Sequence, residues 1–233
     1  MSCVVQRNEW GRGRELPCVC YVEGDPLVQS YDKTLKLIID EQKTLLSRGM
    51  NPDKYDRCKF QSRVQTDDDY PGKEGQVYVT WVAFSFGIHK KPKKFLRAIQ
   101  IFQDQVLIRG HGVRGQTTVE LPYTYTTHRN PSGDPVTVRV REEGNTVILE
   151  SDDCPWRLEF VRGGFDSKIR LAVGARYKPE NNDGHNMDGI CGNCDGQYDY
   201  VLCGEQRTDV SEAEDKFKQI SESCADGKHQ HKD

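Results

Sequence analysis

Apolar and polar positions alternate with a period of two through most of residues 58–173. In Lys59-Phe60-Gln61-Ser62-Arg63-Val64 the large apolar side chains fall on even positions and the charged ones on odd positions. Successive side chains of a strand point to opposite faces, so this pattern predicts a strand with one face toward a core. Runs rich in Val, Ile, Tyr, Thr, Trp and Phe predict further strands over residues 76–86, 95–101, 105–108, 117–125, 136–140, 146–149, 157–161 and 168–173. Turn-forming sequences separate them: Pro71-Gly72, Arg109-Gly110, Pro131-Ser132-Gly133-Asp134, Glu143-Gly144-Asn145 and Gly163-Gly164. Many short strands at this spacing predict an all-β, sandwich-like fold of two packed antiparallel sheets.

The flanks read differently. Over residues 33–46, Leu35, Leu37 and Ile39 alternate as in a strand, whereas Leu35, Ile38 and Ile39 also suit a helix. Strands with a turn around residues 40–43 are the preferred reading. Near the C-terminus, Ser211-Glu212-Ala213-Glu214 forms a capping box, and Ala213, Phe217 and Ile220 then share one helical face. A short C-terminal helix ending near Cys224 is expected to dock on the sheets. Residues 1–19 read as a cysteine-containing lead-in or the end of a preceding module, residues 20–224 as one β domain, and residues 225–233 as a mobile polar tail.

Composition narrows the class. The 233 residues fit one large β domain or two small ones, with 35% hydrophobic and 30% charged positions giving a lean core and a well-solvated surface. No apolar run reaches the roughly 18–20 residues that a membrane-spanning helix needs. A net charge of −3 argues against a nucleic-acid binder. Nine cysteines change the picture most. A zinc site needs paired thiols and histidines at ligand spacing, but the only C-x-x-C is Cys191 to Cys194 and the histidines are scattered. Disulfides in an oxidising, extracellular compartment are therefore expected. The first 16 residues lack the apolar core of a secretory signal, so a secreted chain is read as a mature fragment or a piece cut from a longer protein. An odd cysteine count leaves at least one thiol free or joined to a partner chain. Connectivity stays open from sequence, with Cys194–Cys203, Cys58–Cys224 and Cys3–Cys18 as candidate pairs and Cys154 as the candidate exposed odd thiol.

The richest motif is Met187-Asp188-Gly189-Ile190-Cys191-Gly192-Asn193-Cys194-Asp195-Gly196-Gln197-Tyr198-Asp199. Oxygen donors recur at every second position: Asn193, Asp195, the Gln197 carbonyl and Asp199. Alternate positions of a tight loop can face one hard cation such as calcium. Gly192 and Gly196 supply the unusual backbone angles of such a loop. A plain turn uses the same residue types. Elsewhere, His89-Lys90-Lys91-Pro92-Lys93-Lys94 could attract anionic glycans, but a solvated hairpin tip is the default reading. The same holds for the Asp67-Asp68-Asp69 loop and for His229 and His231 in the tail.

Two anchor motifs then coincide. Early stands Cys20-Tyr21-Val22-Glu23-Gly24-Asp25-Pro26, followed by Ser30-Tyr31-Asp32; late stands Gly189-Ile190-Cys191-Gly192-Asn193-Cys194-Asp195-Gly196. With strands between them and a helix ending in cysteine after them, the chain over residues 18–224 resembles the von Willebrand factor type D domain of secreted multidomain proteins. The resemblance implies a Cys20–Cys191 disulfide, which in the chain-entropy model stabilises by about 4–5 kcal/mol. It also implies calcium ligands from Asp32, Asn193, Asp195 and the Gln197 carbonyl, so that the cation would join the first strand to the last loop. The sequence departs from the family pattern at Leu27 (usually His), Lys33 (usually Gly) and Asp188, where multimer-forming members carry the first thiol of Cys-Gly-Leu-Cys.

These observations predict a non-catalytic, calcium-stabilised, disulfide-rich structural and interaction module of a secreted gel, adhesive, matrix or yolk-type protein. Its partners would be other extracellular modules or chains, with no nucleic acid and no membrane span. No Gly-x-Ser-x-Gly elbow, His-Glu-x-x-His or P-loop is present. The competing class is a secreted enzyme, either a luciferase resembling a type D domain or a thiol–disulfide oxidoreductase using Cys191 and Cys194.

Overall fold

Period-two burial runs through the strands of the structure, a computed structural model. It describes residues 16–23, 27–31, 43–49, 58–68, 70–72, 76–88, 95–110, 115–127, 135–174, 187–192, 194, 200–202 and 205–207. Sixteen strands lie among the described residues. In chain order they are β1 (Cys18–Glu23), β2 (Leu27–Gln29), β3 (Lys43–Gly49), β4 (Phe60–Asp67), β5 (Tyr78–Ile88), β6 (Phe95–Phe102), β7 (Val106–Gly110) and β8 (Gln116–Thr118). They continue with β9 (Tyr123–Thr127), β10 (Val136–Glu143), β11 (Thr146–Ser151), β12 (Trp156–Val161), β13 (Lys168–Val173), β14 (Met187–Asp188), β15 (Tyr200–Leu202) and β16 (Glu205–Arg207). One sheet runs β2-β1-β13-β12-β11-β10-β9 and a second runs β14-β3-β4-β5-β6-β7-β8, with β15 and β16 forming a separate hairpin. The fold is thus the expected all-β pair of packed antiparallel sheets. The proposed C-terminal helix, the lead-in up to residue 15, the basic run 89–94 and the tail lie outside the described residues.

The topology is two meanders. Strands β3 to β8 pair in sequence to make one sheet, and β9 to β13 pair in sequence to make the other. The N-terminal β1 then adds beside β13, from Cys18 opposite Val173 to Glu23 opposite Lys168. Late in the chain, β14 adds to the far edge beside β3, with Met187 opposite Gly49. Two segments distant in sequence therefore complete the same side of the sandwich. On the opposite side the chain passes from β8 directly to β9.

The passage from β8 to β9 corrects one expectation. Residues 117–125 read as a single strand, yet they divide between two sheets around Leu121-Pro122. Pro122 has no N–H to give to a ladder, so pairing stops there and the chain changes sheet. The strand expected within residues 33–46 also shifts. Lys43, placed in the expected turn, opens β3, which runs on to Gly49; residues 32–42 are outside the described residues.

The core forms where the two inner faces meet. Val136, Val138 and Val140 of β10, Trp156, Leu158 and Phe160 of β12, and Cys18, Cys20 and Val22 of β1 alternate inward with more exposed neighbours. From the other sheet come Phe60 and Val64 of β4, Phe84 and Phe86 of β5, and Ile99 and Ile101 of β6, none more than 1% exposed. The Phe60 and Phe84 rings lie nearly parallel at 5.4 Å, and Trp156 reaches across to Phe84 at 4.6 Å and Phe86 at 6.1 Å. These aromatics carry the largest buried areas and join the layers.

Charge organises the outer face of the β1-containing sheet. Arg141 meets Glu150 at 2.6 Å, Glu150 also receives Arg157 at 3.0 Å, and Arg157 meets Glu159 at 2.7 Å. Arg170 extends the row to Glu159 at 3.5 Å. Beneath this lattice Ile148 and Ala172, which lie outside the inner core, are only 2% and 1% exposed. Long arginine stems can cover apolar surface in this way while their heads stay wet.

At one end of the sandwich Gln103 latches the sheets together. Its Nε2 donates to the Val79 carbonyl at 2.9 Å and to Ser167 Oγ at 2.8 Å, while the Gly164 N–H donates to its Oε1 at 3.2 Å.

The two kinds of contact should differ sharply when removed. Phe84→Ala is expected to cost about 3–5 kcal/mol, because it deletes the ring that touches both Phe60 and Trp156. Arg139→Ala is expected to cost under about 1 kcal/mol, because its pair with Asp152 is 46% and 37% exposed. Urea denaturation of both variants measures the contrast.

Candidate functional site

The candidate site is built where the N-terminal and C-terminal segments meet. Cys18 and Cys20 stand two apart on β1 and are 0% and 1% exposed. Residues two apart on a strand share a face, so both thiols point into the core. The loop after β14 comes to meet them. Cys20 bonds Cys191 and Cys18 bonds Cys194, with Cα atoms 5.6 Å and 5.8 Å apart. The Cys20–Cys191 bridge is the one implied by the family resemblance. The Cys18–Cys194 bridge overturns both Cys3–Cys18 and Cys194–Cys203. Once β1 presents both thiols on one face, the loop can reach both through its own two cysteines, three positions apart.

Backbone hydrogen bonds seat this loop on β3. The Ile190 N–H donates to the Leu45 carbonyl at 3.2 Å and the Cys191 N–H to the Leu46 carbonyl at 2.9 Å. A tight turn closes with the Gly192 N–H on the Gly189 carbonyl at 3.1 Å. Gly189 has φ of 116°, and a Cβ there would lie 2.4 Å from the Leu46 carbonyl oxygen. Only glycine combines that backbone angle with so close an approach. Ile190 and Cys191, at 2% and 0% exposure, are sealed into the core by this docking.

The early motif joins the same place. The Tyr31 N–H donates to the Cys191 carbonyl at 2.8 Å. A short β1–β2 pairing, with Glu23 opposite Leu27 and Tyr21 opposite Gln29, delivers the chain to that position. The two anchor motifs, about 160 residues apart, are therefore held together by two disulfides and a backbone hydrogen bond.

The expected cation ligands Asp32, Asn193, Asp195, Gln197 and Asp199 all lie outside the described residues. In the chain, Asp32 directly follows Tyr31, and Asn193 stands between Gly192 and Cys194. Carboxylate, amide and carbonyl oxygens are the donor set that a calcium ion takes. Among the described residues no group of three His, Cys, Asp or Glu is placed to hold a metal.

A third disulfide joins Cys58 to Cys154, with Cα atoms 5.2 Å apart. It overturns two expectations, the Cys58–Cys224 pair and Cys154 as an exposed odd thiol. Cys154 is 1% exposed. Each of these cysteines stands two residues ahead of an inward aromatic, Phe60 or Trp156, and both rings pack on Phe84. The aromatic stack thus brings the two thiols together. The signal missed in the sequence was the pairing of Cys18-Val19-Cys20 with Cys191-Gly192-Asn193-Cys194, two thiols against two.

The Cys191–Cys194 pair does not close on itself, and Cys194 is 6% exposed in its bond to Cys18. Among the described residues no helix is long and apolar enough to cross a membrane. Compared with known proteins, the chain matches no family model and no curated protein. Fold and site define it as an all-β, two-sheet protein tied by disulfides.

The two bridges of the clamp close nearly the same loop, with separations of 176 and 171 residues. Chain entropy therefore predicts strong coupling between them. Replacing one pair by Ala, either Cys18/Cys194 or Cys20/Cys191, should cost about 2 kcal/mol, since the other bridge still closes the long loop. Removing the second pair as well should cost a further 4–5 kcal/mol or so. A double-mutant cycle in urea reads this non-additivity.

Proposed function

We propose that this chain is a von Willebrand factor type D domain, acting as a non-catalytic, calcium-stabilised structural and interaction module of a secreted protein. The observation that carries this reading is the clamp, in which Cys20–Cys191 and the Tyr31–Cys191 hydrogen bond unite the two motifs on which the resemblance rests. Three disulfides among the described residues support an oxidising compartment, where such bonds persist. Both cysteines of the C-x-x-C are buried in structural bonds, which favours a mechanical role over thiol exchange.

Asp32, Asn193, Asp195, the Gln197 carbonyl and Asp199 would hold the cation. A calcium ion there supplies positive charge that lets acidic side chains from two distant segments lie close together. Sulfur and cation would then brace the same junction. The module would present a rigid surface to neighbouring domains or chains. Among the described residues six cysteines pair within the chain, and the odd total of nine leaves at least one thiol for a bond to a partner.

Calorimetric melting with and without a calcium chelator tests the cation. A ligand held only by the folded state at one hundred times its dissociation constant stabilises by about 2.7 kcal/mol. Chelation is therefore expected to lower the Tm by about 5–10 °C for a domain of this size. In Asp195→Asn the difference should shrink or vanish. Identical melts of the native chain in calcium and in chelator would remove the metal from this account.

A further inference from the structure

The inner faces beneath the clamp are not wholly apolar. Ser47 and Ser62 are both 0% exposed and stand directly opposite each other across β3 and β4. Thr44, at 3% exposure, faces Val64, the next inward position along β4. Among the described residues none of these three hydroxyls has a hydrogen-bond partner. The indole N–H of Trp156, a residue 1% exposed, has none either. Trp156 packs at 4.6 Å on Phe84, and Phe84 is the residue opposite Ser62 on β5. The three hydroxyls thus lie on the inner face of one sheet, and Trp156 packs from the other sheet on Phe84, the cross-strand neighbour of Ser62.

A bulge explains how the hydroxyls arrive there. The pairing of β3 with β4 shifts between Leu45 and Ser47, so Leu46 is an extra residue. Without it Ser47 would fall on the outer face, because each single-residue slip reverses a strand's faces. The same Leu46 carbonyl receives the Cys191 N–H of the clamp. The polar group and the clamp thus share one local distortion of β3.

A buried hydroxyl without a partner loses its hydration and gains nothing in return, so folded proteins seldom keep one. A bond between Ser47 and Ser62 would satisfy one donor and leave the other hydroxyl proton, Thr44 and the indole unmet. The indole can only donate, whereas each hydroxyl donates once and accepts twice. A molecule that both accepts and donates, and is small enough for a packed interior, meets all four groups. Water has that chemistry, and buried polar sites commonly hold it. We propose that the space between the sheets under the clamp is a closed binding site for ordered water, held by Thr44, Ser47, Ser62 and Trp156. Its water links β3, which carries the clamp loop, to β12 of the opposite sheet. Exchange with bulk solvent then requires the clamp to open.

The test uses the full disulfide-bonded chain. Water-selective NMR should show a long-lived water cross-peak at the Trp156 indole proton, assigned by its loss in Trp156→Phe. Ser62→Ala and Ser47→Ala should each lower the Tm by about 2–4 °C, because each removes a partner from a bound water. An unchanged or raised Tm in both variants would mean that the hydroxyls are true orphans whose removal is harmless, and would overturn the site. If neither variant folds, the native spectrum decides alone: no long-lived water at the Trp156 indole refutes the proposal.

Discussion

A pair of sulfur bridges from neighbouring inward positions of one strand governs the rest of this molecule. One bridge would join the two ends of a long loop but leave the late segment free to pivot. The second, two residues away on β1 and three residues away on the loop, removes that freedom. The loop then seats on β3 through the Leu45 and Leu46 carbonyls, and Tyr31 closes over it. The clamp therefore joins three segments, β1 with its following turn, β3, and the loop after β14. Two of them belong to opposite sheets, so the clamp also fastens the sandwich on the side away from the β8–β9 passage.

Away from the clamp, stability divides between an aromatic interior and a charged exterior. Phe60, Phe84, Phe86 and Trp156 join the layers through ring contacts. The Cys58–Cys154 bridge sits at the head of that stack and reinforces it. The arginine–glutamate rows on the outer face contribute in a different way. They are partly exposed and individually weak, but their aliphatic stems shield Ile148 and Ala172. The proposed role as a rigid extracellular brace rests on this arrangement, in which covalent links and packed rings together join the two sheets.

Much of the strand order was legible in the sequence because the physical signal is local. Val136, Val138 and Val140, or Trp156, Leu158 and Phe160, announce a buried face by their spacing alone. Legibility failed where a non-local choice intervened. Residues 117–125 carry continuous β-forming side chains, yet Pro122 hands the chain from one sheet to the other. Ser47 faces the core only because Leu46 is an extra residue in β3, and no pattern of apolar positions reveals a bulge. Disulfide partners were the least legible feature. Cys58 finds Cys154 because Phe60 and Trp156 meet on the same ring, which is a statement about packing between sheets.

The amino-acid sequence by itself determined an all-β chain, its alternating faces, most of its turns and its commitment to disulfides, since each follows from the chemistry of residues within a few positions of one another. It also marked the two motifs that meet, through the resemblance they carry. Tertiary structure decided which thiols pair, which strand edge receives the late loop and which hydroxyls become buried. Those outcomes depend on contacts between segments up to about 170 residues apart, and such contacts are settled only when whole faces pack together.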